Sequence, residues 1–99
     1  MIKMSISNKS LFISFEGIDG CGKSTQVQLL LDRLKIENIN SLLVREPGGT
    51  VISEEIRSIL LKTRKDQMAE RTEALLMTAS RAQLTKDVII PKLELGYWV

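Results

Sequence analysis

The chain has 99 residues, enough for one small domain and too few for two. Its 43% hydrophobic and 26% charged content is ordinary for a globular protein and excludes a disordered or fibrous chain. A net charge of +2 and only four aromatics (Phe12, Phe15, Tyr97, Trp98) give no electrostatic or stacking basis for a nucleic-acid partner.

Residues 1–10, MIKMSISNKS, form a polar lead-in without the apolar core of a secretion signal. No apolar run reaches the roughly 18 residues that cross a bilayer, so no membrane partner is expected. The single cysteine, Cys21, has no internal disulfide partner. That suits a reducing compartment, and the expected location is the cytoplasm. Residues 11–99 then read as one domain. Leu11–Phe15 is a short apolar run rich in β-formers that stops at glycines, as a buried strand does. From Thr25 the period changes: Val27, Leu30, Leu31 and Leu34 lie on one face of a helix, with Asn38 as its stop.

Ser41–Arg45 reads as a second strand, broken by Pro47-Gly48-Gly49. Ser53, followed by Glu54 and Glu55, has the character of a helix N-cap, and Ile56, Ile59 and Leu60 form that helix's apolar face. Thr63–Gln67 is a charged, solvated connection. A long helical pattern covers about residues 70 to 95, with Pro91 as a kink or restart. Gly96-Tyr97-Trp98-Val99 enters a third strand. The order β-α-β-α-α-β predicts an α/β layered fold with a parallel sheet.

Gly17-Ile18-Asp19-Gly20-Cys21-Gly22-Lys23-Ser24 has the spacing of a phosphate-binding P-loop, placed between a predicted strand and a predicted helix. Gly17 and Gly22 let the backbone turn so that its N–H groups converge on phosphate oxygens. The helix N-terminus adds positive potential, Lys23 reaches the β- and γ-phosphates, and the Ser24 hydroxyl suits Mg²⁺. Asp19 has two readings that spacing does not separate: accepting a sugar hydroxyl or a metal-bound water, or facing solvent as a turn residue. Cys21 reads either as a reactive thiol at a helix N-terminus or, more simply, as a place where any small residue would serve. In the long helix, Met77, Leu84 and Val88 form an apolar stripe that includes Arg81. There Arg81 either pairs with an anion, a carboxylate or a ligand phosphate, or snorkels to water. Arg45–Thr50 follows the second strand, at the sheet end where α/β ligands bind; it reads equally well as a simple turn. Arg57 has an ordinary alternative in a surface pair with Glu54.

Together these segments resemble the bacterial thymidylate kinases, which transfer a phosphoryl group from ATP to dTMP. Phe15–Thr25 is similar to that family's P-loop, and Arg45-Glu46-Pro47-Gly48-Gly49-Thr50 to its second signature. Glu54–Arg57, Thr72–Leu76, Ser80–Gln83, Val88–Pro91 and Gly96–Val99 continue the resemblance. It implies a nucleoside-monophosphate-kinase-like parallel sheet with flanking helices, strand three lying between strands one and two, and a homodimer. ATP would be held by Gly17, Ile18, Asp19, Gly20, Cys21, Gly22, Lys23, Ser24 and Thr25. Ser24 would serve Mg²⁺ directly and Asp19 through water, with Asp19 also near the dTMP sugar. The resemblance further implies that Glu46 and Pro47 border dTMP, Arg57 meets the thymine base and Arg81 grips the dTMP phosphate, with Lys23 and Arg81 catalytic.

Met77 stands where the family has Phe or Tyr stacked on thymine; a thioether packs softly on a ring. Family members are about twice as long. On this reading the chain is an N-terminal half, ending as strand three begins and before the Asp-Arg-Tyr-like segment, the lid and the adenine loop. Alone it is expected to have negligible kinase activity. The rival readings are another P-loop nucleotide or deoxynucleoside kinase and a non-catalytic nucleotide-binding fragment.

Overall fold

A computed structural model describes residues 10–62 and 65–99; most of the lead-in, and Thr63 and Arg64 of the charged connection, lie outside them. The elements are α1 (Lys23–Ile36), α2 (Val51–Leu61), α3 (Glu70–Leu84), a π-helical turn (Thr85–Ile89) and α4 (Ile90–Glu94). The chain divides into two compact units: one runs to Leu43 and takes in Lys92–Val99, the other is Val44–Pro91. No helix is long and apolar enough to cross a membrane among the described residues.

In the first unit, α1 buries Leu34 and half-buries Val27, Leu30 and Leu31, the face that the sequence pattern marks. Asn38 ends the helix in the left-handed conformation, φ 58°. There the Asn38 N–H donates to Lys35 O and the Ile39 N–H to Leu34 O, satisfying carbonyls the helix leaves open. α4 stops the same way at Gly96, φ 88°, with the Gly96 and Tyr97 N–H groups donating to Leu93 O and Lys92 O. Each stop delivers the chain directly into an extended segment, and the two segments pair. The Trp98 N–H donates to Asn40 O at 2.9 Å and the Leu42 N–H to Trp98 O at 2.8 Å, a parallel bridge between Ser41 and Trp98. Toward the first apolar run, the Val99 N–H donates to Leu11 O at 2.9 Å and the Ile13 N–H to Val99 O at 2.8 Å.

That bridge is the longest β-pairing among the described residues, so Leu11–Phe15 and Ser41–Arg45 are extended segments here and not continuous strands. Leu11, Phe12 and Phe15, expected inside, are 46%, 52% and 39% exposed. A run that is apolar on both faces is buried only when a layer covers each face. Within this unit only Leu34, Leu93 and Ser10 are buried among the described residues.

The second unit is built on α2 against α3. The cap of α2 is Thr50, not Ser53: Thr50 has the extended backbone of a cap, and its Oγ1 accepts from the Ser53 N–H at 3.0 Å. Both residues are cap-formers by type, but the glycines at 48 and 49 turn the chain just ahead of Thr50, which places Ser53 inside the first turn. There Ser53 is fully buried, and its hydroxyl donates to Ser80 O at 2.8 Å across to α3. The Ser80 hydroxyl accepts from the Gly48 N–H at 3.2 Å.

The buried residues of α3 are Ser80 and Leu84, with Leu76 half-buried, so its packed face differs from the predicted Met77–Arg81–Leu84–Val88 stripe. The close approach of the glycine loop decides this: a Cβ at Gly49 would lie 2.6 Å from Leu84 Cδ1. Arg81 falls at the edge of that face and is exposed. Pro91 does not break the helix. The preceding turn widens, the Ile90 N–H reaches Thr85 O, and α4 follows at once. A proline lacks the amide hydrogen and crowds the carbonyl one turn back, and a π turn relieves both demands.

Ser80→Ala removes the acceptor of a buried amide and is expected to lower stability by about 1–3 kcal/mol in urea unfolding. Gly96→Ala forces a Cβ into the left-handed region and should cost about 1–2 kcal/mol. Asn38→Gly should be neutral or slightly stabilising in the same assay.

Candidate functional site

The P-loop forms a concavity of about 340 Å³ lined by Ile18, Asp19, Gly20, Gly22, Lys23, Ser24 and Thr25. Gly20 and Gly22 have φ of 79° and 92°, which L side chains rarely adopt, and a Cβ on either would meet nothing within 4 Å. Open space therefore lies beside both glycines. Gly22 caps α1 with no side-chain hydrogen bond, so the first N–H groups of the helix have no capping side chain. The Lys23 ammonium donates to Gly17 O at 3.0 Å, folding the side chain back over the loop. At Gly17 the constraint is contact: a Cβ would lie 2.6 Å from Cys21 Sγ. Cys21 is a free, exposed thiol whose sulfur covers that glycine. Asp19 and Ser24 are exposed. The arrangement offers an anion amides, a positive helix end, an ammonium and a hydroxyl.

The second cluster lies in the Val44–Pro91 unit, on the loop of residues 45–50. Arg81 grips Glu46 with two prongs, Nε to Oε1 at 2.7 Å and Nη2 to Oε2 at 2.9 Å. Such a pair is geometrically demanding, although the Arg81 side chain is 63% exposed, which screens the attraction. Arg57 Nη1 donates to Pro47 O at 3.0 Å. The surface pair of Arg57 with Glu54 is not formed; Glu54 instead accepts from the Gly49 N–H at 2.8 Å and lies 3.7 Å from Arg45 Nη2.

The structure thus gathers Gly17, Ile18, Asp19, Gly20, Cys21, Gly22, Lys23, Ser24 and Thr25 in one loop and helix start, and Glu46, Pro47, Arg57 and Arg81 in one hydrogen-bonded set. Met77, one turn before Arg81, is 36% exposed and outside that set. Arg81 meets the carboxylate alternative of the sequence reading, and its place on a buried stripe is not observed. Thr50, Ser53, Glu54 and Ser80 hold the second loop and were not expected to. The sequence signal for Ser80 is its place between Leu76 and Leu84 at helical spacing, which its serine character masks, since serine is mostly a surface residue. No cluster of three or more His, Cys, Asp or Glu residues suited to a metal occurs among the described residues.

A family model described as thymidylate kinase matches residues 15–99. The chain is 53% identical over 88 residues to the thymidylate kinase of Caldanaerobacter subterraneus subsp. tengcongensis, covering 89% of this chain and 42% of that protein. It is 54% identical over 86 residues to that of Fervidobacterium nodosum, covering 87% and 42%. Against that of Thermosipho africanus the figures are 52% over 89 residues, 90% and 44%. The chain spans about two-fifths of the length of these curated relatives. With both loops inside the matched region, the chain belongs to the thymidylate kinase family, whose fold is that of the P-loop kinases.

Proposed function

We propose that this chain carries the P-loop and the acceptor-binding loop of an enzyme that transfers a phosphoryl group from ATP to dTMP, giving dTDP for dTTP synthesis. The observation that carries the reading is the phosphate cradle: left-handed Gly20 and Gly22 facing open space, with Lys23 and Ser24 beginning α1. Family membership supports dTMP as the acceptor.

In this proposal the loop amides and Lys23 hold the ATP phosphates, and the Ser24 hydroxyl receives the Mg²⁺ that accompanies ATP. A Mg²⁺ ion held mainly by phosphates and water needs few protein ligands, so one exposed hydroxyl and a carboxylate acting through water at Asp19 fit it. When bound with ATP, Mg²⁺ would supply charge neutralisation to the phosphates. Asp19 also accepts from the dTMP sugar, Glu46 and Pro47 border the nucleotide, Met77 packs near thymine, Arg57 meets the base and Arg81 the phosphate. Phosphoryl transfer asks mainly for positioning and charge stabilisation, which Lys23 and Arg81 would provide. The activity belongs to proteins of the relatives' full length, of which this chain would be the N-terminal half. Residues 11–99 would then be half of one kinase domain in a cytoplasmic homodimer, with nucleotides as its small-molecule partners and no membrane or nucleic-acid partner. The four hydrogen bonds made by Trp98 and Val99 support a parallel sheet with the third segment central.

Calorimetric titration of the 99-residue chain tests this. Mg-ATP should bind, and Lys23→Ala should weaken it by roughly 10–100-fold, the loss of a charge-assisted contact. Arg81→Ala should weaken dTMP by a similar factor and leave ATP unchanged. Tighter binding of another monophosphate than of dTMP would favour a different nucleotide kinase. ATP binding without any monophosphate binding would favour a non-catalytic nucleotide-binding fragment. The isolated chain should release no ADP; robust dTMP-dependent release would overturn the half-enzyme reading.

A further inference from the structure

We infer that Glu54 is a positioning residue that sets the acceptor loop, and through it the Arg81 guanidinium, without touching the nucleotide. The inference rests on the function proposed above.

Glu54 lies in the first turn of α2, beyond the cap Thr50, and its side chain reaches back past that cap. Oε2 accepts from the Gly49 N–H at 2.8 Å. The same carboxylate presses on Gly48, where a Cβ would collide with it. Oε1 lies 3.7 Å from Arg45 Nη2. One carboxylate therefore meets residues 45, 48 and 49, on both sides of Glu46-Pro47. Those two enclosed residues are the ones the arginines hold: Arg57 takes the Pro47 carbonyl and Arg81 the Glu46 carboxylate.

Gly48 and Gly49, at φ 138° and 96°, are the loop's most permissive backbone positions. Left unfastened, they would let Glu46 swing, and a two-pronged contact tolerates little rotation. On the α3 side, Ser80 secures the Gly48 amide, so the loop is held from both helices, and Glu54 is the α2 contact nearest the glycines. The Glu54 side chain is about half exposed, 49%, so its removal should disturb loop geometry more than global stability.

The test uses the 99-residue chain with Glu54→Ala, in which nothing spans the loop, and Glu54→Gln, which keeps an acceptor for the Gly49 amide. The Arg81 Nε–H resonance, read by ¹⁵N NMR without any ligand, should lose its protection from exchange in Glu54→Ala and keep most of it in Glu54→Gln. In calorimetry, Glu54→Ala should weaken dTMP about tenfold, with Mg-ATP affinity unchanged and Glu54→Gln close to the parent. An unaltered Arg81 Nε–H in Glu54→Ala overturns the inference whether or not dTMP binds. So does an unaltered dTMP affinity in a parent that binds dTMP. A parent that binds neither nucleotide overturns the proposed function, while the NMR comparison still decides whether Glu54 positions Arg81.

Discussion

The contact on which the second half of the molecule depends is small: the hydroxyl of Ser53 against the carbonyl of Ser80. A serine on each helix lets α2 and α3 meet with little between them, and the geometry that follows leaves room only for glycine on the adjoining loop. Gly48 then gives its amide to Ser80, and Gly49 accepts Leu84 against its α-carbon. Larger side chains at 53 or 80 would push the helices apart and carry Arg57 and Arg81 away from the loop they hold. The two arginines that hold the loop are thus placed by small residues, two serines and two glycines.

Much of this was legible in the sequence. The P-loop spacing, the α1 face ending at Leu34 and the stop at Asn38 follow from local rules, because each depends on residues within one or two turns. The glycine pair at 48 and 49 announces a loop; the family resemblance assigns Arg57 and Arg81 to the nucleotide that Glu46 and Pro47 border, and their bonds to the loop itself appear only in the structure. What local rules did not reveal was which of two equivalent residues wins. Thr50 and Ser53 are both cap-formers, and only the turn at the glycines selects Thr50. On α3 hydrophobicity points to Met77 and Leu84; Leu84 is fully buried, but Met77 is exposed, and the requirement for close approach buries Ser80 instead.

Exposure of Leu11, Phe12 and Phe15 has a different origin. The pattern that predicts a buried strand reports what the residues need, and burial depends on what other segments supply. The hydrogen bonds of Trp98 and Val99 show the same economy of material: two residues pair on both sides with segments far away in the chain. The stops at Asn38 and Gly96 fix where each segment begins, and hence which residues lie opposite one another.

Lys23 offers a last consequence. Its ammonium rests on the Gly17 carbonyl, so the long side chain already has a partner within the loop. A free lysine loses roughly 2 kcal/mol of rotamer freedom when it is immobilised by a ligand. In the proposed site, part of that ordering would belong to the folding of the loop, and engaging a phosphate would exchange one oxygen acceptor for a more strongly charged one. Affinity for the anion would then depend less on capturing a mobile chain than on the difference between a carbonyl dipole and a full negative charge.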